Sequence, residues 1–230
     1  MAHVDARPYA FPYDGSLAPS TTVLISVDMQ RDFLDDGGYL HSTGADMAGF
    51  RKTIAPIRQV FEAARAHGYL IIHTRAGRRP DLSDLPPVKR FRSERAGASF
   101  DAAGALGRFL IRGEPGHEII EALAPQPGEP VIDKSGSSAF YGTELDLILA
   151  NRGIRNLVLF GLTTDVCVHS TLRSAIDRGF DCLLLEDCTA ATDTGNYRAA
   201  INTVTTEGGY FGAVSDSNRF VRALMPASND

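Results

Sequence analysis

With 230 residues, 43% of them hydrophobic, the chain is long enough for one large domain with a full core and too short for two comfortable ones. A formal net charge of -5, a sequence pI near 5.7 and no basic stripe exclude nucleic acid and anionic membranes as electrostatically favoured partners, which leaves small molecules. No stretch approaches the roughly twenty apolar residues of a membrane span and the N-terminus lacks the apolar core of a secretion signal, so the expected location is cytoplasmic.

Residues 1–20 mix prolines, aromatics and turn formers, which predicts an extended arm laid on the domain surface. Apolar, partly β-branched runs follow at Val23 to Val27, Tyr69 to Ile72, Val131-Ile132, Leu157 to Phe160 and Cys182 to Leu185, the signature of strands buried on both faces. Helical patterns lie between them, at Met47 to His67, His117 to Leu123, Thr143 to Asn151, Asp165 to Arg178 and Tyr197 to Glu207. Thr143 with Asp146 resembles a capping box with Asp in place of Glu or Gln, and Gly68, Gly153 and Gly179 stand where helices end before the next run. This alternation predicts an α/β fold with a mainly parallel sheet and helices on both faces, in a single domain spanning 1–230. Residues 75–112 are rich in arginine, proline and glycine and read as a long excursion; loops of that length are usually functional or covered by a partner.

In an open parallel sheet ligands gather at the carboxyl ends of the strands. Asp28 follows the first run in VLISVDMQRDF, Lys134 follows Val131-Ile132 in VIDKSGSSAF, and Cys167 lies past the Leu157 run, where a helical pattern begins. Backbone N–H groups at a helix N-terminus favour an anion, so a thiol there loses its proton more readily. Singly, each residue has a plain structural alternative: a buried small hydrophobe for the cysteine, a turn former for the aspartate, a solvated charge or a partner of Asp133 for the lysine. Jointly they form a nucleophile with a base and electrostatic support. The three cysteines are odd in number and lack C-x-x-C spacing, which speaks against a disulfide framework and a zinc knuckle. Neither G-x-G-x-x-G nor G-x-x-x-x-G-K-[ST] occurs, the six histidines are scattered, and His73 reads as a structural residue, so no cofactor and no metal are expected.

The ordered trio Asp28, Lys134 and Cys167, set in VDMQRDF, DKSGSSAF and GLTTDVCVHSTLRSAIDRGF, resembles the isochorismatase-like cysteine hydrolases, among them nicotinamidases, N-carbamoylsarcosine amidases, ureidoacrylate amidohydrolases and biuret hydrolases. The segments PYAFPYDGSL, HTRAGRRPDLSDLPPVKRFRSERAG, RGEPG and LLLEDCTAATDTGNYRAAI are most similar to the biuret hydrolases, and the resemblance covers nearly the whole chain. Nicotinamidases carry an Asp and two His as metal ligands between the first two motifs; this chain lacks them and resembles the metal-free subgroup.

The resemblance implies a Rossmann-like three-layer sandwich of about six strands. It implies that Cys167 attacks a ureido carbonyl, that Asp28 takes the thiol proton and passes it to departing ammonia, and that Lys134 balances the charges. The backbone N–H groups of Thr163 and Cys167 would receive the oxyanion, with a non-proline cis bond at Leu162-Thr163, and water would hydrolyse the carbamoyl thioester. A homotetramer is also implied, with the arm and the arginine-rich excursion at subunit contacts. Two positions depart from the biuret-hydrolase pattern: Ser137 stands where lysine is expected, which makes room, and Glu207 stands where glutamine is expected, which leaves an acceptor-only group. Together they favour triuret over biuret as the small linear polyurea cleaved, with Phe33 packed on the planar substrate. The alternatives are biuret itself, another N-carbamoyl substrate of the N-carbamoylsarcosine or ureidoacrylate type, and a non-catalytic ligand-binding protein or thiol sensor, which would have no need of Asp28 and Lys134.

Overall fold

The first apolar run forms a strand with no exposed residue, β1 (Thr22–Val27), because helices cover it on both sides. In this computed structural model, which describes residues 3–225, the chain continues through α1 (Arg31–Leu34), α2 (Tyr39–Ser42), α3 (Met47–Arg51), α4 (Ile54–Ala66) and β2 (Leu70–Ala76). The excursion holds α5 (Pro87–Arg95) and a small hairpin of β3 (Ala103–Gly104) and β4 (Gly107–Arg108). After two tight turns of 3-10 type come β5 (Val131–Lys134), α6 (Leu145–Asn151), β6 (Asn156–Leu162), a wide turn (Thr164–Val168) and α7 (His169–Ile176). The described chain closes with β7 (Asp181–Ala190), α8 (Thr194–Gly209), β8 (Ala213–Ser215) and α9 (Ser217–Leu224).

Six strands pair in the order β5-β2-β1-β6-β7-β8, every pair parallel. The chain winds outward from β1 to one edge and then returns to wind outward from β6 to the other. The strand order therefore reverses between β1 and β6, where such sheets open a crevice for ligands. Alternation along the strands divides the core. Val23, Ile25 and Val27 face α6, α7 and α8 through Leu145, Leu172 and Ile201, whereas Leu24, Val158 and Phe160 face α4 and α9 through Phe61 and Phe220. The result is the three-layer α/β sandwich that the sequence predicts.

Three local expectations change. Residues 117–123 form no continuous α-helix, only parts of two 3-10 turns, because the backbone between those turns pairs with the β1–α1 connection: Arg31 N–H donates to Glu118 O at 2.8 Å and Ile120 N–H to Met29 O at 3.0 Å. The Met47 to His67 pattern breaks at Thr53, whose hydroxyl donates to Phe50 O at 2.7 Å, and gives two helices. Thr143 accepts from Leu145 N–H at 3.3 Å, so α6 starts there without the reciprocal bond of a capping box.

The described part of the arm buries itself. Val4 and Phe11 are fully covered, and Arg7 exchanges backbone hydrogen bonds with Val214 at 3.0 and 2.8 Å, closing the edge that β8 would expose. Tyr13 of the same arm stays exposed.

At the opposite edge Glu129, just before β5, accepts from Arg65 of α4 at 2.8 Å and contacts His73 Nε2 of β2 at 3.0 Å. Burial alone would raise its carboxyl, but the bonds from Arg65 and His73 outweigh this and hold it down to about 2. A depressed carboxylate stabilises the fold above its unfolded value of about 4.5 and loses that contribution as pH falls toward 2. In urea denaturation, Glu129→Gln should therefore cost up to about 3 kcal/mol near neutral pH, and its gap from wild type should narrow below about pH 4.5.

Candidate active site

Asp28 is the first residue after β1 and has a φ of 52°, a left-handed conformation that aspartate tolerates better than most side chains. Its N–H donates to Thr74 O at 3.1 Å, and the Thr74 hydroxyl donates to Asp28 Oδ1 at 2.6 Å, so the neighbouring strand fixes the carboxylate. Lys134, the last residue of β5, brings Nζ to 2.7 Å from Asp28 Oδ2 and also donates to Gly136 O at 3.2 Å. Both side chains are fully buried. Apart from this ion contact, Oδ2 receives no directed hydrogen bond, which leaves a lone pair to accept a proton.

The rest of VDMQRDF holds the surrounding loops. Gln30 accepts from Ala76 N–H at 2.7 Å and donates to His117 O at 2.9 Å, while Asp32 accepts from Leu110 N–H at 2.8 Å and Tyr39 N–H at 3.3 Å. Both are buried, so these bonds offset desolvation and pin two loops to the end of β1.

Cys167 sits in the wide turn after β6, where the Leu162-Thr163 peptide is cis, as the resemblance implies. Close packing sets this corner: Gly161 has a φ of 113°, and a Cβ there would collide with the Val27 carbonyl. The Thr171 hydroxyl donates to Cys167 O at 2.7 Å and accepts from Ala139 N–H at 2.9 Å, tying the turn to the loop that follows Lys134.

Electrostatics at the three groups differ from the expectation of a thiol ionised by a helix terminus. Burial is the largest influence on Cys167, Lys134 opposes it and Asp28 adds to it, so the thiol is pushed up to about 12. The helical backbone begins as the wide turn at Thr164 and runs straight into α7, so Cys167 does lie in its first turn, and burial outweighs the pull of that terminus. Burial would lower the Lys134 ammonium, but the charges of Asp28 and Cys167 outweigh it and raise the net value. At rest the site thus holds an ammonium at Lys134 and a protonated thiol at Cys167.

A cavity of about 600 Å³ opens above them, with Lys134, Thr163 and Cys167 at its base and Phe33 and Ser137 in its walls. Glu207 is not among the lining residues. It is exposed at the far end of α8, because that helix runs back from the carboxyl end of β7 to the amino end of β8 and carries it to the opposite edge of the sheet. Two residues of the site were not singled out from sequence. Thr74 is paired beside Val27 and carries only the ordinary mark of a strand residue, and Arg78 was one of many arginines in the excursion.

The fold is an open α/β sheet with a cysteine, an aspartate and a lysine meeting at its switch point. The isochorismatase domain family matches residues 22–219, and the chain belongs to that family. Similar solved structures include a cysteine hydrolase from Pseudomonas syringae pv. phaseolicola, 28% identical with TM-score 0.76, over 90% of this chain and 94% of that one. The N-carbamoylsarcosine amidase of Thermoplasma acidophilum is 29% identical with TM-score 0.68, over 86% of this chain and 97% of that one. The pyrazinamidase/nicotinamidase of Streptococcus mutans is 25% identical with TM-score 0.69, over 85% and 100%.

A protonated resting thiol has a chemical consequence. Iodoacetamide should alkylate Cys167 at pH 8 at least about tenfold more slowly than a free cysteine peptide, with a rate still rising above pH 9. Peptide mass mapping of the alkylated protein across pH checks this, and a rate that levels off near pH 7 would contradict it.

Proposed function

We propose that this isochorismatase-family hydrolase is a cysteine amidohydrolase that cleaves the terminal C–N bond of a small linear polyurea, triuret in preference to biuret, and releases ammonia. The observation that carries the reading is the buried Asp28–Lys134 pair at 2.7 Å, whose two charges both act on the Cys167 thiol at the base of the same cavity.

In the proposed cycle Asp28 takes the Cys167 proton as sulfur attacks the terminal ureido carbonyl, and the backbone N–H groups of Thr163 and Cys167 receive the oxyanion. When the tetrahedral species collapses, the C–N bond breaks and Asp28 returns the proton to the departing nitrogen, giving ammonia and a carbamoyl thioester. Asp28 then deprotonates a water that attacks the thioester. The C–S bond breaks, sulfur regains the proton, and an N-carboxylate product leaves. Lys134 stays charged throughout and offsets the negative charge that moves between carboxylate, sulfur and oxyanion.

For the substrate, support comes from the cavity. Serine at position 137 of its wall leaves room for a chain longer than biuret, and Phe33, close to Tyr39 in an edge-to-face contact at 6.4 Å, offers a ring to a planar ligand. Glu207, far from the cavity in one chain, gives this preference no support. Subunit contacts of the proposed homotetramer fit α5 best, since it leaves Val88 and Phe91 exposed. No helix of the described residues is long and apolar enough to cross a membrane.

Ammonia release from triuret, biuret, N-carbamoylsarcosine, ureidoacrylate and nicotinamide tests the reading. Triuret should give the highest kcat/KM, Cys167→Ala should lose at least about a thousandfold in kcat, and Ser137→Lys should shift the triuret-to-biuret ratio toward biuret by about tenfold. No turnover of any of them by folded protein would contradict the proposal.

A further inference from the structure

Arg78 is the one cation lining the cavity, among the described residues, that the proposed cycle leaves without a task. It lies two residues past β2, is 9% exposed, and forms no ion pair with a carboxylate among the described residues. Asp84 attracts the guanidinium from beyond ion-pair distance, but burial outweighs it, so the place of Arg78 in a ligand cavity calls for a reason. Its backbone is held firmly: Arg78 N–H donates to Leu110 O at 2.7 Å, and Arg78 O accepts from Arg112 N–H at 2.9 Å. The guanidinium stands 5.4 Å over the Phe100 ring, another wall residue, and its Nη1 donates to the Ser135 carbonyl.

That carbonyl does not depend on Arg78, because Lys89 Nζ also donates to it at 3.1 Å. Nor is a nearby carboxylate free to take the arginine. Asp84 accepts from Arg79 N–H at 2.9 Å and faces Arg112 at 3.7 Å; Asp46 accepts from Ala48 N–H at 3.0 Å; Asp165, also on the cavity, makes no ion pair with Arg78. Among the described residues the cavity lining holds two cations, Arg78 and Lys134, and Lys134 is already paired with Asp28, which leaves Arg78 as the lining cation without an ion pair.

We propose that Arg78 is a substrate-binding and specificity residue, whose guanidinium fork holds acceptor oxygens at the non-reacting end of the ureido substrate. The inference rests on the amidohydrolase reading of Cys167. A planar fork of N–H donors, stacked on an aromatic ring, matches paired oxygens in one plane. Both the distal carbonyls of a polyurea and the carboxylate of a ureido acid present that chemistry.

The test compares wild type, Arg78→Gln and Arg78→Lys on triuret and on N-carbamoylglycine, together with calorimetric binding of both compounds to Cys167→Ser. Arg78→Gln should raise KM for a substrate at least about tenfold while kcat stays within about threefold, and Arg78→Lys should recover part of the loss. A rise on both substrates upholds the proposal with the polyurea carbonyls as ligand, and a rise on N-carbamoylglycine alone upholds it with the carboxylate. If Arg78→Gln fails to fold, Arg78→Lys decides by the same KM criterion, since it keeps the charge and loses the fork. Wild-type turnover with KM unchanged in the folded variants, or a fall in kcat alone without rescue by lysine, overturns the role of Arg78 and leaves the amidohydrolase intact. No turnover by wild type and no binding to Cys167→Ser overturns both.

Discussion

The site depends on one buried ion pair, Asp28 with Lys134 at 2.7 Å, from which solvent is excluded on both sides. Taking two charges out of water costs several kcal/mol per ion, and their attraction repays this only when geometry and further hydrogen bonds are good. Here the geometry is inherited from the sheet. Asp28 leaves β1 and Lys134 ends β5, with β2 between them supplying the Thr74 hydroxyl. The register of three parallel strands thus fixes a distance between two side chains over a hundred positions apart.

That pair also explains the state of the nucleophile. Burial and the nearby Asp28 charge outweigh Lys134 and hold the Cys167 thiol up, so it keeps its proton. The proton moves only when substrate supplies a carbonyl for the sulfur to attack, so a reactive thiolate is not left standing. In the proposed cycle the cavity divides the labour: its base, with Lys134 and Cys167, performs the chemistry, and Phe33, Ser137 and Arg78 line the space left for the rest of the substrate.

Sequence made the meeting of Asp28, Lys134 and Cys167 legible because each follows an apolar run, and parallel strands deliver such positions to one edge. The layers were legible for the same reason, since the runs needed burial on two faces. What escaped was set by tertiary partners. Residues 117–123 carry a helical pattern, yet their carbonyl and N–H groups are taken by the connection after β1. The strand β8 is only three residues long, and α5, PVKRFRSER, has no apolar period to betray it. Glu207 shows the limit most clearly: a motif position says nothing about which end of a helix meets the ligand, and the antiparallel return of α8 takes it away. Arg78 had the opposite fate, hidden among arginines of similar appearance until the fold put one of them beside the nucleophile.

Proton transfer from Cys167 to Asp28 during attack is the central claim, and rapid acid quenching followed by peptide mass spectrometry tests it most directly. During turnover of triuret, wild type should carry the mass of substrate less ammonia on the Cys167 peptide and on no other, and Asp28→Asn, which retains the shape but not the base, should form no such adduct. An adduct formed by Asp28→Asn at the wild-type rate, or one carried by a different residue, would contradict the account.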